Sequence, residues 1–294
     1  MLSAVVRPLR PLLRASLASF LSVVPGASGP GGAPAAGGPR RALTLCLAAS
    51  MLAACGGGDF SLNAIARVQA SDDFTNGLGQ WKVEQQDSTG TVTASHGVLD
   101  IVQPSGATLW FKQRLTGNYE IRFIATPIPA TFGTTYVNRI SDLNVFWNAT
   151  VPGTASEDPT AVGYDGTLAA YNPLHLYYVG FGANGNTTTR LRRYDGTAAR
   201  PQITGYATTA SATADDKAGA MTPATSLVAN TPVNVRIVSR QATTANPATL
   251  QWYANDQLIF SYTDASPYLS GWFAFRTTTS HWQLRDFKVL TLAE

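Results

Sequence analysis

From about Asp72 to Leu292 the chain alternates short apolar and polar runs, broken at intervals by Gly, Pro, Asn and Asp. Early runs are Thr91–Ala94, Val98–Val102 and Tyr119–Ile124, followed by Asp142–Trp147, Leu174–Phe181 and Thr187–Tyr194. Later ones are Val233–Ser239, Leu250–Tyr253, Leu258–Tyr262, Trp272–Arg276 and Leu284–Leu292. Val, Ile, Thr, Phe, Tyr and Trp dominate them, as half-buried strands require. No stretch of this body sustains a 3.6-residue apolar period long enough for a helix of four turns. Asn255-Asp256, between Tyr253 and Leu258, has the residues of a tight hairpin turn. Many short strands with almost no helix predict an all-β sandwich or barrel. Two segments interrupt the pattern: a Pro/Gly/Ser/Asp loop over 151–172 and an Ala/Thr-rich stretch over 197–231. Loops of this length in a compact domain are usually functional or disordered.

Alternation assigns faces. On one face of the 142–147 run stand Asp142, Asn144 and Phe146, and on the other Leu143, Val145 and Trp147, which is core material. Thr188, Arg190, Arg192 and Tyr194 share a face of their run; His175 and Tyr177 share one; Arg276 shares one with Trp272. Arg, Asn, His and Tyr converging on a sheet surface would suit an acidic sugar. The plainer reading of Arg190, Arg192 and Arg193 is that of solvated strand residues paired with Asp195 or Asp142. His281 is either a hydrogen-bonded strand-end residue or part of a site, and Trp110, Trp252 and Trp282 read as core.

The 294 residues are 45% apolar and 13% charged, too apolar for disorder throughout and without the repeated long apolar runs of a membrane bundle. The net charge of +3 misleads: residues 1–54 hold five arginines and no acid, so the rest has sixteen basic against eighteen acidic side chains. Nucleic acid is an unsuitable partner for such a body.

Residues 1–54 read as a signal region whose first 39 residues reflect a misplaced translation start or an N-terminal extension, and 55–71 as a lipid-anchored tether ahead of a single domain at 72–294. Arg40-Arg41 precedes a short apolar run ending in Leu52-Ala53-Ala54-Cys55 and then three glycines. That ending resembles a bacterial lipobox, which implies a diacylated Cys55 as mature N-terminus and a membrane anchor without a transmembrane helix. Gly56 after the cysteine resembles the outer-membrane sorting pattern, so the cell envelope is the expected location. Cys46 and Cys55 are the two cysteines of the sequence. Acylated at Cys55, the mature body has no thiol for a disulfide, a metal site or a nucleophile.

Asp72-Asp73-Phe74-Thr75-Asn76 and Trp81-Lys82-Val83-Glu84 resemble the opening of bacterial concanavalin-A-like (laminin-G-like) jelly rolls. Ser270 to Thr278, then Leu284-Arg285-Asp286-Phe287, resemble their closing strands. Ser141–Trp147, Tyr177–Gly182 and Arg190–Gly196 are similar to a branch found among polysaccharide-degrading proteins. The resemblance implies an all-β concanavalin-A-like jelly-roll β-sandwich engaging polysaccharide on its concave sheet. It also implies a possible structural Ca²⁺ near the chain ends, with Asp73 and Asp286 as ligands; calcium asks for six to eight oxygens.

Three activities compete. Hydrolysis of a glycoside needs two carboxylates about 5–9 Å apart; Asp142 is the best placed, with Asp165 or Glu157 as a second acid from the long loop. β-Elimination on a uronic acid polymer needs the substrate carboxylate neutralised and a base and an acid beside it. The expected set is Arg190 and Arg192 with Asn144 on the carboxylate, and His175 or Tyr177 as base or acid. Asp142, Tyr194, Trp272, Arg276 and His281 complete the expected surface. The third is a carbohydrate-binding protein that cuts nothing.

Overall fold

Sixteen strands form within residues 65–293, the part of the chain that the computed structural model describes. In chain order they are β1 (Ile65–Asp72), β2 (Trp81–Gln85), β3 (Thr91–Ser95), β4 (Val98–Phe111), β5 (Tyr119–Ile128) and β6 (Ala130–Phe132). Next come β7 (Tyr136–Arg139), β8 (Leu143–Thr150), β9 (His175–Gly182), β10 (Thr188–Asp195) and β11 (Gln202–Ala207). The last are β12 (Gly219–Ala220), β13 (Val233–Arg240), β14 (Thr249–Ala254), β15 (Gln257–Thr263) and β16 (Trp272–Leu292). Fourteen of them belong to one ladder that curls into a two-layered sandwich. The front layer runs β2, β4, β16, β8, β9, β10, β11, β12, and the back layer runs from β16 through β5, β13 and β14 to β15.

β16 belongs to both layers. Its first half pairs with β8, register Arg276 to Asn144, and its second half pairs with β5, register His281 to Ile128 through Thr291 to Tyr119. The changeover falls at Thr279, whose φ of 45° breaks the register against β4. The sequence pattern divides this segment in two because Thr277 to His281 has no apolar residue.

Between the layers lies the main core. Leu143, Val145 and Trp147 face it from β8, as expected, with Tyr177, Val179 and Phe181 from β9. Trp81 is packed among Phe111, Phe275 and Phe287 with ring centroids 5.3, 5.1 and 4.9 Å away; such aromatic pairs each add about 0.5–1.5 kcal/mol beyond their buried area. Trp252 and Trp282 are core residues, as read from the sequence. Asn255 and Asp256 both have positive φ, the geometry of the predicted hairpin turn.

Two expectations need correction. The domain starts before residue 72, because β1 pairs along the end of β16, Asp72 opposite Phe287 through Ile65 opposite Leu292. Its exposed Ile65 and Val68 give no inward alternation to read. The 197–231 stretch is not a plain loop: it supplies β11, antiparallel to β10, and the short β12. The 151–172 segment is the loop read from its composition, folded as a cover with single 3₁₀ turns at Pro159–Ala161 and Leu168–Tyr171. No helix among the described residues is long and apolar enough to cross a membrane.

Candidate functional site

Antiparallel partners point to the same side of a sheet, so the register of the front layer dictates what its outer face carries. One row across seven strands reads Glu84, Thr108, Arg276, Asn144, Gly180, Arg190, Gly205. The adjacent row reads Lys82, Trp110, Ala274, Phe146, Tyr178, Arg192, Gln202. The apolar members of these rows are covered by the 151–174 segment: Trp110, Ala274 and Phe146 pack with Tyr171 and Leu174 in a second cluster, which also holds Trp272. Buried Glu84 holds that cover in place. Its carboxylate accepts from Trp110 Nε1 (2.9 Å), Tyr171 Oη (3.0 Å) and the Tyr164 backbone N–H (2.9 Å).

The cover stops short of the polar end of the rows and leaves a cavity of about 330 Å³. Asn144, Tyr178, Gly180, Arg190, Arg192 and Tyr194 form its floor, with Arg276 and Leu168 on one side and Arg200 on another. Gly180 is small for a reason: a Cβ there would lie 2.5 Å from Tyr178 Oη and 3.0 Å from Asn144 Oδ1. Asn144 is 4% exposed, and its Oδ1 is buried without a hydrogen-bond partner, while Nδ2 donates to Asp142 (3.4 Å). Asp142 also lines the cavity and is held by Arg139 (3.0 Å) and Ser141.

The arginines differ in their engagements. Arg190 is committed: Nε and Nη2 grip both oxygens of Asp216 at 2.8 and 2.7 Å. The guanidinium, with Thr213 and Gln202 also donating, holds Asp216 well below the usual carboxylate range against the opposing effect of burial. This pair pins the 208–219 segment to β10, and the expectation that Arg190 is free for a substrate carboxylate is corrected. Arg192 donates to the Arg200 carbonyl and to Gln202 Oε1, both at 2.9 Å. Arg276 donates to Thr108 Oγ1 (3.2 Å) and the Gly166 carbonyl (2.5 Å). Burial lowers the pKa of both Arg192 and Arg276. Burial also raises that of the Tyr178 phenol, reinforced by Tyr194 and Asp142, so its hydroxyl stays protonated.

The structure thus brings together Asp142, Asn144, Arg190, Arg192, Tyr194 and Arg276 of the expected surface. It does not bring His175, Tyr177, Trp272 or His281 to the cavity. Tyr177 faces the core and donates to Asp264 Oδ2 at 2.6 Å. His175 stacks on Tyr268, centroids 5.0 Å apart. Both sit on the face of β9 opposite Tyr178, and the inward alternation of Tyr177, Val179 and Phe181 is the signal that identifies Tyr178 instead. His281 lies in the back-layer half of β16, 2.9 Å from Asp100 Oδ1, the hydrogen-bonded reading. Trp272 is on the outer face but under the cover, with the Arg114 guanidinium 5.3 Å from its ring. Gly180, Arg200 and Leu168 belong to the site without any pattern marking them in the sequence. Cys55 lies outside the described residues.

Asp73 and Asp286 do line one cavity, of about 430 Å³. Asp73 Oδ1 already accepts from Thr75 N and Oγ1, and neighbouring Asp72 is spent on Phe74 N and Trp81 Nε1. No group of three or more His, Cys, Asp or Glu among the described residues is arranged to hold a metal. The donor set does not fit the six to eight oxygens that calcium takes.

Among solved structures the chain is similar to a Bacillus subtilis protein of unknown function with a galectin-like fold. The TM-score is 0.57 at 14% identity, over 78% of this chain and 98% of that one. It is also similar to the carbohydrate-binding module CBM66 from Bacillus subtilis (TM-score 0.44, 10% identity, 72% and 96% covered). A further match is the metal-free Emp46p carbohydrate recognition domain (TM-score 0.48, 10% identity, 76% and 92% covered). No curated protein matches the sequence. The galectin-like likeness agrees with the jelly-roll sandwich expected from the strand pattern. Residues 101–287 match the domain of unknown function DUF6250, and on that span, well over half its length, the chain belongs to the DUF6250 family.

Proposed function

We propose that the chain is a carbohydrate-binding protein that takes a polysaccharide segment into the cavity of the front sheet. One observation carries the reading. Among the described residues, Asn144 Oδ1 has no hydrogen-bond partner, and it meets the protonated hydroxyl of Tyr178 at Gly180 in a concave, cation-rich floor. Vicinal sugar hydroxyls donate and accept at once, and such a floor answers both needs. The Leu52-Ala53-Ala54-Cys55 run supports a lipid anchor, which would present this face at the bacterial outer membrane.

Retention of the full chain on a panel of immobilised polysaccharides tests the reading. Retention on at least one polymer, lost in Asn144→Ala and kept in Arg114→Gln, is the expected result. Retention on none, or retention indifferent to Asn144→Ala, overturns it.

Cleavage of a uronic acid polymer by β-elimination is the second reading, and the meeting of Arg192, Arg276, Asn144 and Tyr178 favours it. In that case Tyr178, not Tyr177 or His175, would be the group protonating the leaving oxygen. Holding is preferred over cutting because the raised pKa of Tyr178 makes it a poor base and no histidine lines the cavity. Ultraviolet-absorbing unsaturated product from any uronic acid polymer would establish the lyase. Hydrolysis has less support, since Asp142 is the one carboxylate among the cavity-lining residues.

A further inference from the structure

Resting on the carbohydrate reading, we propose that the ligand is an anionic saccharide whose carboxylate or sulfate groups are met by Arg276 and Arg192, cavity-lining guanidiniums that form no ion pair among the described residues. Elsewhere this fold pairs its part-buried arginines with acids. Glu120 serves Arg122 and Arg236, Asp264 serves Arg193, Asp142 serves Arg139, and Asp216 serves Arg190. Arg276, Arg192 and Arg200 are different: all three line the cavity and none forms an ion pair among the described residues.

Arg276 is the most demanding case. It is 4% exposed, its acceptors Thr108 and the Gly166 carbonyl are neutral, and the Tyr171 ring lies 5.5 Å from its guanidinium carbon. A buried guanidinium without a direct ion pair is costly in a protein interior, and Asp142 and Asp165 act on Arg276 without forming one. An anion supplied by the ligand removes that cost, and the planar fork of arginine matches carboxylate and sulfate in shape. Arg276 leans toward Thr108 on β4 and Arg192 toward Gln202 on β11, so the two guanidiniums lie toward opposite sides of the cavity.

Charge alone would admit any small anion. Asn144 Oδ1 argues for a sugar acid, because a buried acceptor repels a bare anion and is satisfied by a hydroxyl. The anionic groups and a neighbouring ring hydroxyl are then read together, by Arg276 and Arg192 on one hand and Asn144 on the other.

Calorimetric titration of the full chain tests this with oligosaccharides from alginate, polygalacturonate and dextran sulfate, each beside its carboxyl-reduced or desulfated counterpart. The expected result is at least about tenfold tighter binding of one charged member than of its neutral counterpart, the size of one charge-assisted contact. Arg192→Gln, checked for folding by circular dichroism, should bring the charged-to-neutral affinity ratio to about one. Preference for the uronides assigns the group as carboxylate, and preference for dextran sulfate assigns it as sulfate. Equal or tighter binding of the neutral members overturns the anionic inference and leaves the carbohydrate reading standing. Binding of no member overturns both. Should Arg192→Gln fail to fold, the charged-to-neutral ratio of the unaltered chain decides alone.

Discussion

The hydroxyl of Tyr178 folds back over Gly180, two residues along the same face of β9, and fills the space that a side chain at 180 would need. Gly180 has no positive φ, so alanine is acceptable to the backbone there, and its Cβ collides first with the Tyr178 ring and hydroxyl and with Asn144 Oδ1. Gly180→Ala should therefore cost about 1–3 kcal/mol of stability through overpacking. It should weaken saccharide retention by about tenfold or more by displacing both polar groups. Thermal melts and affinity electrophoresis on the same preparation separate the two effects; unaltered retention would show that the floor of the cavity is not where ligand binds.

Adjacent tyrosines should give opposite phenotypes. Tyr177→Phe removes the donor to Asp264 and the acceptor of the Tyr268 backbone N–H (3.0 Å), a buried network worth about 1–3 kcal/mol, and leaves retention intact. Tyr178→Phe removes a hydroxyl that makes no hydrogen bond among the described residues, so stability holds and retention falls. Urea midpoints set beside retention check the pair.

The strand segments of Tyr119–Ile124, Asp142–Trp147 and Thr187–Tyr194, and the common face of Asn144, Arg192, Tyr194 and Arg276, could be read from the alternation of the chain. Alternation also contains the orientation of Tyr177, but weighing tyrosine as chemistry rather than as core hides it. Other features have no local signal at all. Arg190 is neutralised by Asp216, 26 residues further on, through a segment whose Ala/Thr composition conceals β11. The continuity of β16 through polar Thr277 to Ser280 depends on partners in two layers. Pattern reports faces; it does not report which charges find each other across the fold.

The Asp216–Arg190 pair should leave a mark in acid. Asp216 is 2% exposed, and its folded pKa is lowered. A carboxyl lowered on folding adds stability that is complete above its unfolded value of about 4 and is lost as the pH falls through the folded value. The stability gap between the native chain and Asp216→Asn should thus be constant from neutral pH to about 5 and shrink on further acidification. Melting temperatures measured down to pH 2 check the sign, and a gap that widens in acid would contradict it.

Glu84→Gln should loosen the cover. Both acceptors of the 2%-exposed carboxylate face donors, so an amide must turn an N–H toward Trp110 and Tyr171 or toward the Tyr164 backbone. A loss of about 2–4 kcal/mol is expected. Hydrogen exchange should quicken first in residues 159–172.

The strand shared by the two layers is also the last of the described domain in order of synthesis. Until residues 272–292 have left the ribosome, β8 and β5 each lack the neighbour that joins them to β4, and neither layer can close. Folding of this domain consequently waits for β16, with its most distant partners meeting last and slowly.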